Sequence, residues 1–86
     1  MPELCRFYGI VIRMYYGDHL PAHFHAAYGD YEAVIGIENL SILRGTLPRR
    51  ALGLVAEWAS LHKEELRAAW HLASELQPLA RIDPLP

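Results

Sequence analysis

Cysteine occurs once in this chain, at Cys5, which excludes an internal disulfide and a zinc site built on thiolates and fits a reducing compartment. The N-terminus lacks the basic, apolar and small-residue succession of a signal peptide. No stretch approaches the ~18 consecutive apolar residues of a membrane span. These absences predict a soluble, cytoplasmic protein with no membrane partner. Excess charge of either sign is also missing: eight Lys and Arg against ten Asp and Glu give a formal net charge of -2. That balance offers no overall attraction to nucleic acid or anionic lipid, so any nucleic-acid contact needs a local basic patch. There is no nucleophile elbow, phosphate-binding glycine loop or dinucleotide fingerprint, and Cys5 has no companion histidine at a diagnostic spacing. Repeats, low-complexity tracts and linkers are absent as well. With 86 residues there is room for one hydrophobic core and one domain, 1–86. A core of that size leaves only about 3–5 kcal/mol of net stability, which makes homo-oligomerisation or a protein partner a reasonable expectation.

What the chain does have is apolar residues, 52% of the total, with period two in its first half. From Phe7 to Tyr16, alternation puts Tyr8, Ile10, Ile12, Met14 and Tyr16 on one apolar face, and Phe7, Gly9, Val11, Arg13 and Tyr15 on a mixed one. Gly17, Asp18 and Pro21 end this strand and open a loop that runs to about Ala22. A second strand, His23 to Tyr28, connects through Gly29-Asp30 to a third, Tyr31 to Ile37. Pairing Tyr28 with Tyr31 sets Ala26 against Ala33 and Phe24 against Ile35, an apolar core side. The other side then pairs Ala27 with Glu32, His25 with Val34 and His23 with Gly36. Both histidines project away from the core, with room left beside His23 by the missing side chain of Gly36. Glu38-Asn39 supplies the next turn, and Leu40 to Arg44 a short fourth strand.

In the second half the period becomes helical. Thr46 or Leu47 caps a helix that has Pro48 in its first turn, and Leu47, Ala51, Leu54, Val55, Trp58 and Leu61 recur on one face. Leu66, Ala69, Trp70, Ala73 and Leu76 extend the pattern. Acids at Glu64 and Glu65 suit the first turn of a new helix and predict a break near His62. Trp58 and Trp70 lie on these stripes as core or partner contacts, and the facing pair Tyr28 and Tyr31 reads as packing. The expected fold class is α+β. It comprises a four-stranded antiparallel meander over 1–45, two helices or one kinked long helix over 46–77 packed on one sheet face, and an extended tail over 78–86.

Polar chemistry concentrates in Asp18-His19-Leu20-Pro21-Ala22-His23-Phe24-His25, which holds three of the five histidines. Histidines at i and i+2 of a strand share a face, so His23 and His25 suit one metal ion, with Asp18 or His19 reaching in from the loop. Equally, they suit a phosphate or nucleic-acid site, or purely structural roles in the loop. A basic set, Arg6, Arg13, Arg44, Arg49 and Arg50, accompanies them. Arg49 and Arg50 lie in a helix's first turn, where a bound anion would meet free backbone N–H groups, although solvated arginines are the ordinary reading.

The segments Arg6 to Ile12, Asp18 to His25 and Leu47-Pro48-Arg49-Arg50-Ala51-Leu52, with Glu57-Trp58 and Glu65-Leu66, resemble the bacterial domain-of-unknown-function 4160 family over almost the whole chain. The resemblance implies a small prokaryotic protein, often encoded beside another small protein of unknown function. It also implies a link to toxin-antitoxin-like modules, and it brings no settled catalytic residues.

Taken together, these readings set three expectations. The first is a toxin-like component acting on RNA or another nucleic acid without metal or cofactor. His23 and His25 would serve as base and acid, Arg49 and Arg50 would stabilise the phosphorane, and Arg13, Asp18 and His19 would bind. The second is a non-catalytic module that docks a small protein partner through the helical half or an exposed sheet edge. The third is a metal-binding domain using His23 and His25.

Overall fold

Residues 2–86 are described by a computed structural model of the chain. Its first half is a five-stranded antiparallel sheet in sequential order: β1 (Glu3–Phe7), β2 (Ile10–Arg13), β3 (His23–Tyr28), β4 (Tyr31–Gly36) and β5 (Ile42–Thr46). Two helices follow, α1 (Arg49–Leu61) and α2 (Lys63–Ser74). The expected α+β meander with two C-terminal helices is present, with one strand more than anticipated.

The extra strand arises from a hairpin at Tyr8-Gly9. Both residues take positive φ, 49° and 80°, the pattern of the turn whose twist matches flanking antiparallel strands. A two-residue turn sets Phe7 opposite Ile10 and Cys5 opposite Ile12, so the core parity switches from odd positions on β1 to even positions on β2. Phe7, Ile10, Ile12 and Met14 are buried, whereas Tyr8 and Tyr16, expected on the apolar face, are exposed.

The β3–β4 register is Tyr28↔Tyr31, Ala26↔Ala33, Phe24↔Ile35, His25↔Val34 and His23↔Gly36, as the alternation requires. The room beside Gly36 is filled, since a Cβ there would meet Asn39 Oδ1 at 3.1 Å and Leu43 Cδ1 at 3.9 Å. Strand β5 starts two residues later than expected, because Leu40 takes a positive φ of 56° in the preceding turn. Gly45 lies inside this strand at φ 82°, where a Cβ would overlap the Glu32 carbonyl.

The helices cover the face that carries Phe7, Ile12, Phe24 and Ile35. Trp58 is fully buried and packs against Phe7 and Phe24, with ring centroids 5.6 and 6.0 Å away. Pro48, rather than Thr46 or Leu47, occupies the cap position of α1, with no side-chain cap bond. His62 separates the helices at φ -120° and ψ 27°, and Glu64 and Glu65 stand in the first turn of α2. Leu61 and Leu76, placed on the apolar stripes by spacing, are exposed at helix ends. The tail is non-regular yet docked. Ile82 and Leu85 are buried, the Ile82 amide donates to the Leu4 carbonyl at 2.9 Å, and Trp58 Nε1 donates to the Asp83 carbonyl at 2.8 Å. Among the described residues no helix is long and apolar enough to cross a membrane.

Candidate histidine–aspartate site

Pleating sends the odd-numbered side chains of β3 to the sheet face opposite Phe24 and Ala26. His23 and His25 therefore stand on the sheet's second face, and both are largely buried there. Their neighbours are aromatic. Tyr15 meets the His25 ring edge-on at a centroid distance of 4.4 Å, Trp70 of α2 lies 5.0 Å from the His23 ring, and the two imidazoles are 5.4 Å apart. The loop between β2 and β3 supplies the carboxylate. The Gly17 amide donates to the Ala73 carbonyl at the end of α2 (3.2 Å), which anchors the loop just before Asp18. Asp18 Oδ1 then accepts the His19 amide at 2.8 Å, leaving Oδ2 to face the histidines.

The ring nitrogens have unequal surroundings. His23 Nδ1 is 2.7 Å from the Pro21 carbonyl, which can only accept, so that nitrogen carries a hydrogen. His23 Nε2 is 2.9 Å from Asp18 Oδ2. His25 Nδ1 is 3.2 Å from Glu32 Oε2, a second acceptor when ionised. His25 Nε2 is buried without a hydrogen-bond partner among the described residues and lies 3.7 Å from the same Asp18 oxygen. Three donor atoms, one each from Asp18, His23 and His25, thus lie within 4.8 Å of one another. Partial burial pushes the Asp18 carboxyl up. The His19 amide, the His23 hydrogen bond and the two nearby imidazoles outweigh that effect and leave it below the ordinary carboxylate value.

This arrangement has two chemical completions. With both Nδ1 positions holding hydrogens, a neutral His23 would point an Nε2 lone pair at a carboxylate. Either a second proton or a cation must therefore lie between them. An ion at about 2.0–2.2 Å from each of three N and O donors separates them by roughly 3.4 Å; the Asp18 oxygen lies 2.9 and 3.7 Å from the two Nε2 atoms, and all three donor atoms lie within 4.8 Å of one another. The outer contacts match what metal-bound imidazoles require, each Nδ1–H donating to a carbonyl or carboxylate that fixes ring and tautomer.

Two clefts open on this face and share Val34 and Arg44. The first, about 180 Å³, is lined also by His25, Glu32 and Gly45; the second, about 290 Å³, by Asp18, His19, Leu20, Pro21, His23 and Leu43. Of the residues singled out from sequence, Asp18, His23 and His25 come together, His19 lines the cleft mouth, and Arg13 is the cross-strand neighbour of His25. Arg49 and Arg50 are exposed in the first turn of α1, and Arg50 lines a different cavity with Tyr8, Tyr28, Pro48, Ala51 and Leu54. The arginine bordering both histidine clefts is Arg44. Glu32, Arg44, Tyr15 and Trp70 were not assigned to the site from sequence. The hairpin register had already put Glu32 on the histidine face, and that was the available signal.

No curated protein and no solved structure matches the chain. A family model described as a domain of unknown function (DUF4160) matches residues 9–71, a span that contains Asp18, His23, His25, Glu32 and Arg44, and the chain belongs to that family.

Proposed function

We propose that the chain is a metal-binding protein that holds one divalent transition-metal ion between His23 Nε2, His25 Nε2 and an Asp18 carboxylate oxygen. One observation carries this reading: His25 Nε2 is buried, unpartnered and turned toward the Asp18 oxygen that His23 already faces. Leaving such an atom unsatisfied costs about 1–3 kcal/mol, and a cation shared with His23 and Asp18 removes that cost. Two imidazoles and a carboxylate are a borderline donor set suited to zinc or ferrous iron, with coordination positions left for water or substrate. The test is elemental analysis of untagged protein after zinc supplementation. One zinc per chain, falling to a small fraction in His25→Ala, supports the reading, and a content near zero ends it.

The second reading is the metal-free one, a toxin-like partner in a two-protein module whose histidines act on RNA. It is favoured by the 2.9 Å contact between His23 and Asp18, the arrangement that holds an imidazolium ready as a general acid. Induced expression separates the two. Growth arrest that needs His23 and His25 but survives in protein carrying no metal favours acid–base chemistry over the metal centre.

A further inference from the structure

The face around the histidines carries a row of residues across four strands. Arg13 pairs with His25, His25 with Val34, and Val34 with Arg44. Strand spacing puts the two arginine backbones about 14 Å apart, on either side of the histidine. Among the described residues neither guanidinium forms an ion pair, although every other arginine on the sheet or in the tail does. The carboxylates on this face, Asp18 and Glu32, are turned to the histidines instead. Two carboxylates and two guanidiniums cancel, so a divalent ion raises the positive charge of the face.

Resting on the metal reading above, we propose that the open side of the metal position and Arg44 together bind a phosphate group, presented either free or as a phosphate ester. Arg44 borders the cleft over His25 and the cleft over His23. A guanidinium there can donate two parallel N–H bonds to phosphate oxygens while a third oxygen faces the ion. The cleft of about 290 Å³ admits a phosphate, and its remaining walls are His19, Leu20, Pro21, Val34 and Leu43. Because the ion adds positive charge to the face and offers an open position to an oxygen, phosphate binding depends on metal as well as on Arg44.

Calorimetric titration of the zinc-loaded chain tests this, using inorganic phosphate and, separately, a short single-stranded RNA, with zinc content measured on the same samples. Phosphate binding to the loaded wild type, at least tenfold weaker in the metal-free chain and in Arg44→Gln with zinc unchanged, is the expected result. RNA competing with phosphate identifies the ester as the ligand, and phosphate alone identifies the free anion. Arg44→Gln binding phosphate as tightly as wild type overturns the proposal, as does one zinc per chain with no phosphate bound. A chain that takes up no zinc fails earlier, at the metal reading itself.

Discussion

His25 Nε2 lies 3.7 Å from Asp18 Oδ2 with no hydrogen-bond partner, while the opposite nitrogen of the same ring is 3.2 Å from Glu32. Glu32 is itself exposed at the carboxylate end, so its contact with the ring orients His25 without adding to the core. Replacing it tests whether that orientation matters. Glu32→Ala is expected to weaken metal affinity by about 10–100-fold, the usual effect of removing an outer-shell partner, with the fold intact. Competition against a chelating dye measures it, and unchanged affinity would remove Glu32 from the site.

Gly45 is the position on β5 where a side chain is least tolerable. Its φ is 82°, and a Cβ would run into the Glu32 carbonyl and sit 3.1 Å from Ala33 Cα, both backbone atoms. Left-handed geometry alone costs an ordinary residue about 1–2 kcal/mol. Gly45→Ala is therefore expected to lose at least about 2 kcal/mol in urea unfolding and to displace the neighbouring Arg44. A loss below about 0.5 kcal/mol, the range of neutral surface changes, would contradict this.

Much of this was legible in the sequence where two constraints coincided. The β3–β4 register followed from Gly29-Asp30 plus an apolar match at Phe24, Ala26, Ala33 and Ile35, since a one-residue slip would have buried both histidines against the helices. The Tyr8-Gly9 hairpin was hidden because alternation can be read straight through a two-residue turn when the residues on both sides are apolar. Arg44 belonged to the basic set but was given no role at the histidines, for a related reason. Its face depends on where β5 begins and on the irregularity between Val34 and Ile35, and neither leaves a periodic trace. Arg49 and Arg50 were drawn to the site by their charge and their place in a helix's first turn, but α1 starts beside Tyr8 and Tyr28 instead. The docking of the tail depends on single contacts such as that between Trp58 and Asp83, which composition does not reveal.

That contact makes the tail testable. Trp58→Phe keeps an aromatic ring against Phe7 and Phe24 but deletes the N–H that reaches the Asp83 carbonyl. The expected loss is about 1 kcal/mol, together with faster hydrogen exchange at the Ile82 amide, which is bonded to Leu4. Unchanged exchange at Ile82 would show that the tail is held by its apolar side chains alone.

Acid sensitivity should appear at Glu3, whose carboxylate accepts from Arg6 at 2.9 Å and Arg81 at 3.2 Å. The Arg6 hydrogen bond, helped by Arg81, holds this carboxyl down at about 2 against an ordinary 4.5. A folded-state value below the unfolded one adds stability that is complete above pH 4.5 and disappears as pH falls toward 2. Wild type is therefore expected to exceed Glu3→Gln in urea resistance at pH 6, with the gap closing across that acid window. The effect is small and shrinks in salt, because the pair is exposed. A gap independent of pH would contradict the assignment.

An anomalous difference map at the zinc absorption edge, from crystals of the zinc-loaded chain, shows whether Asp18, His23 and His25 hold one metal ion. One peak is expected, at about 2.0–2.2 Å from His23 Nε2, His25 Nε2 and an Asp18 oxygen. An empty triad, or zinc held only by surface pairs such as His62 with Glu65 or His71 with Glu75, would contradict it.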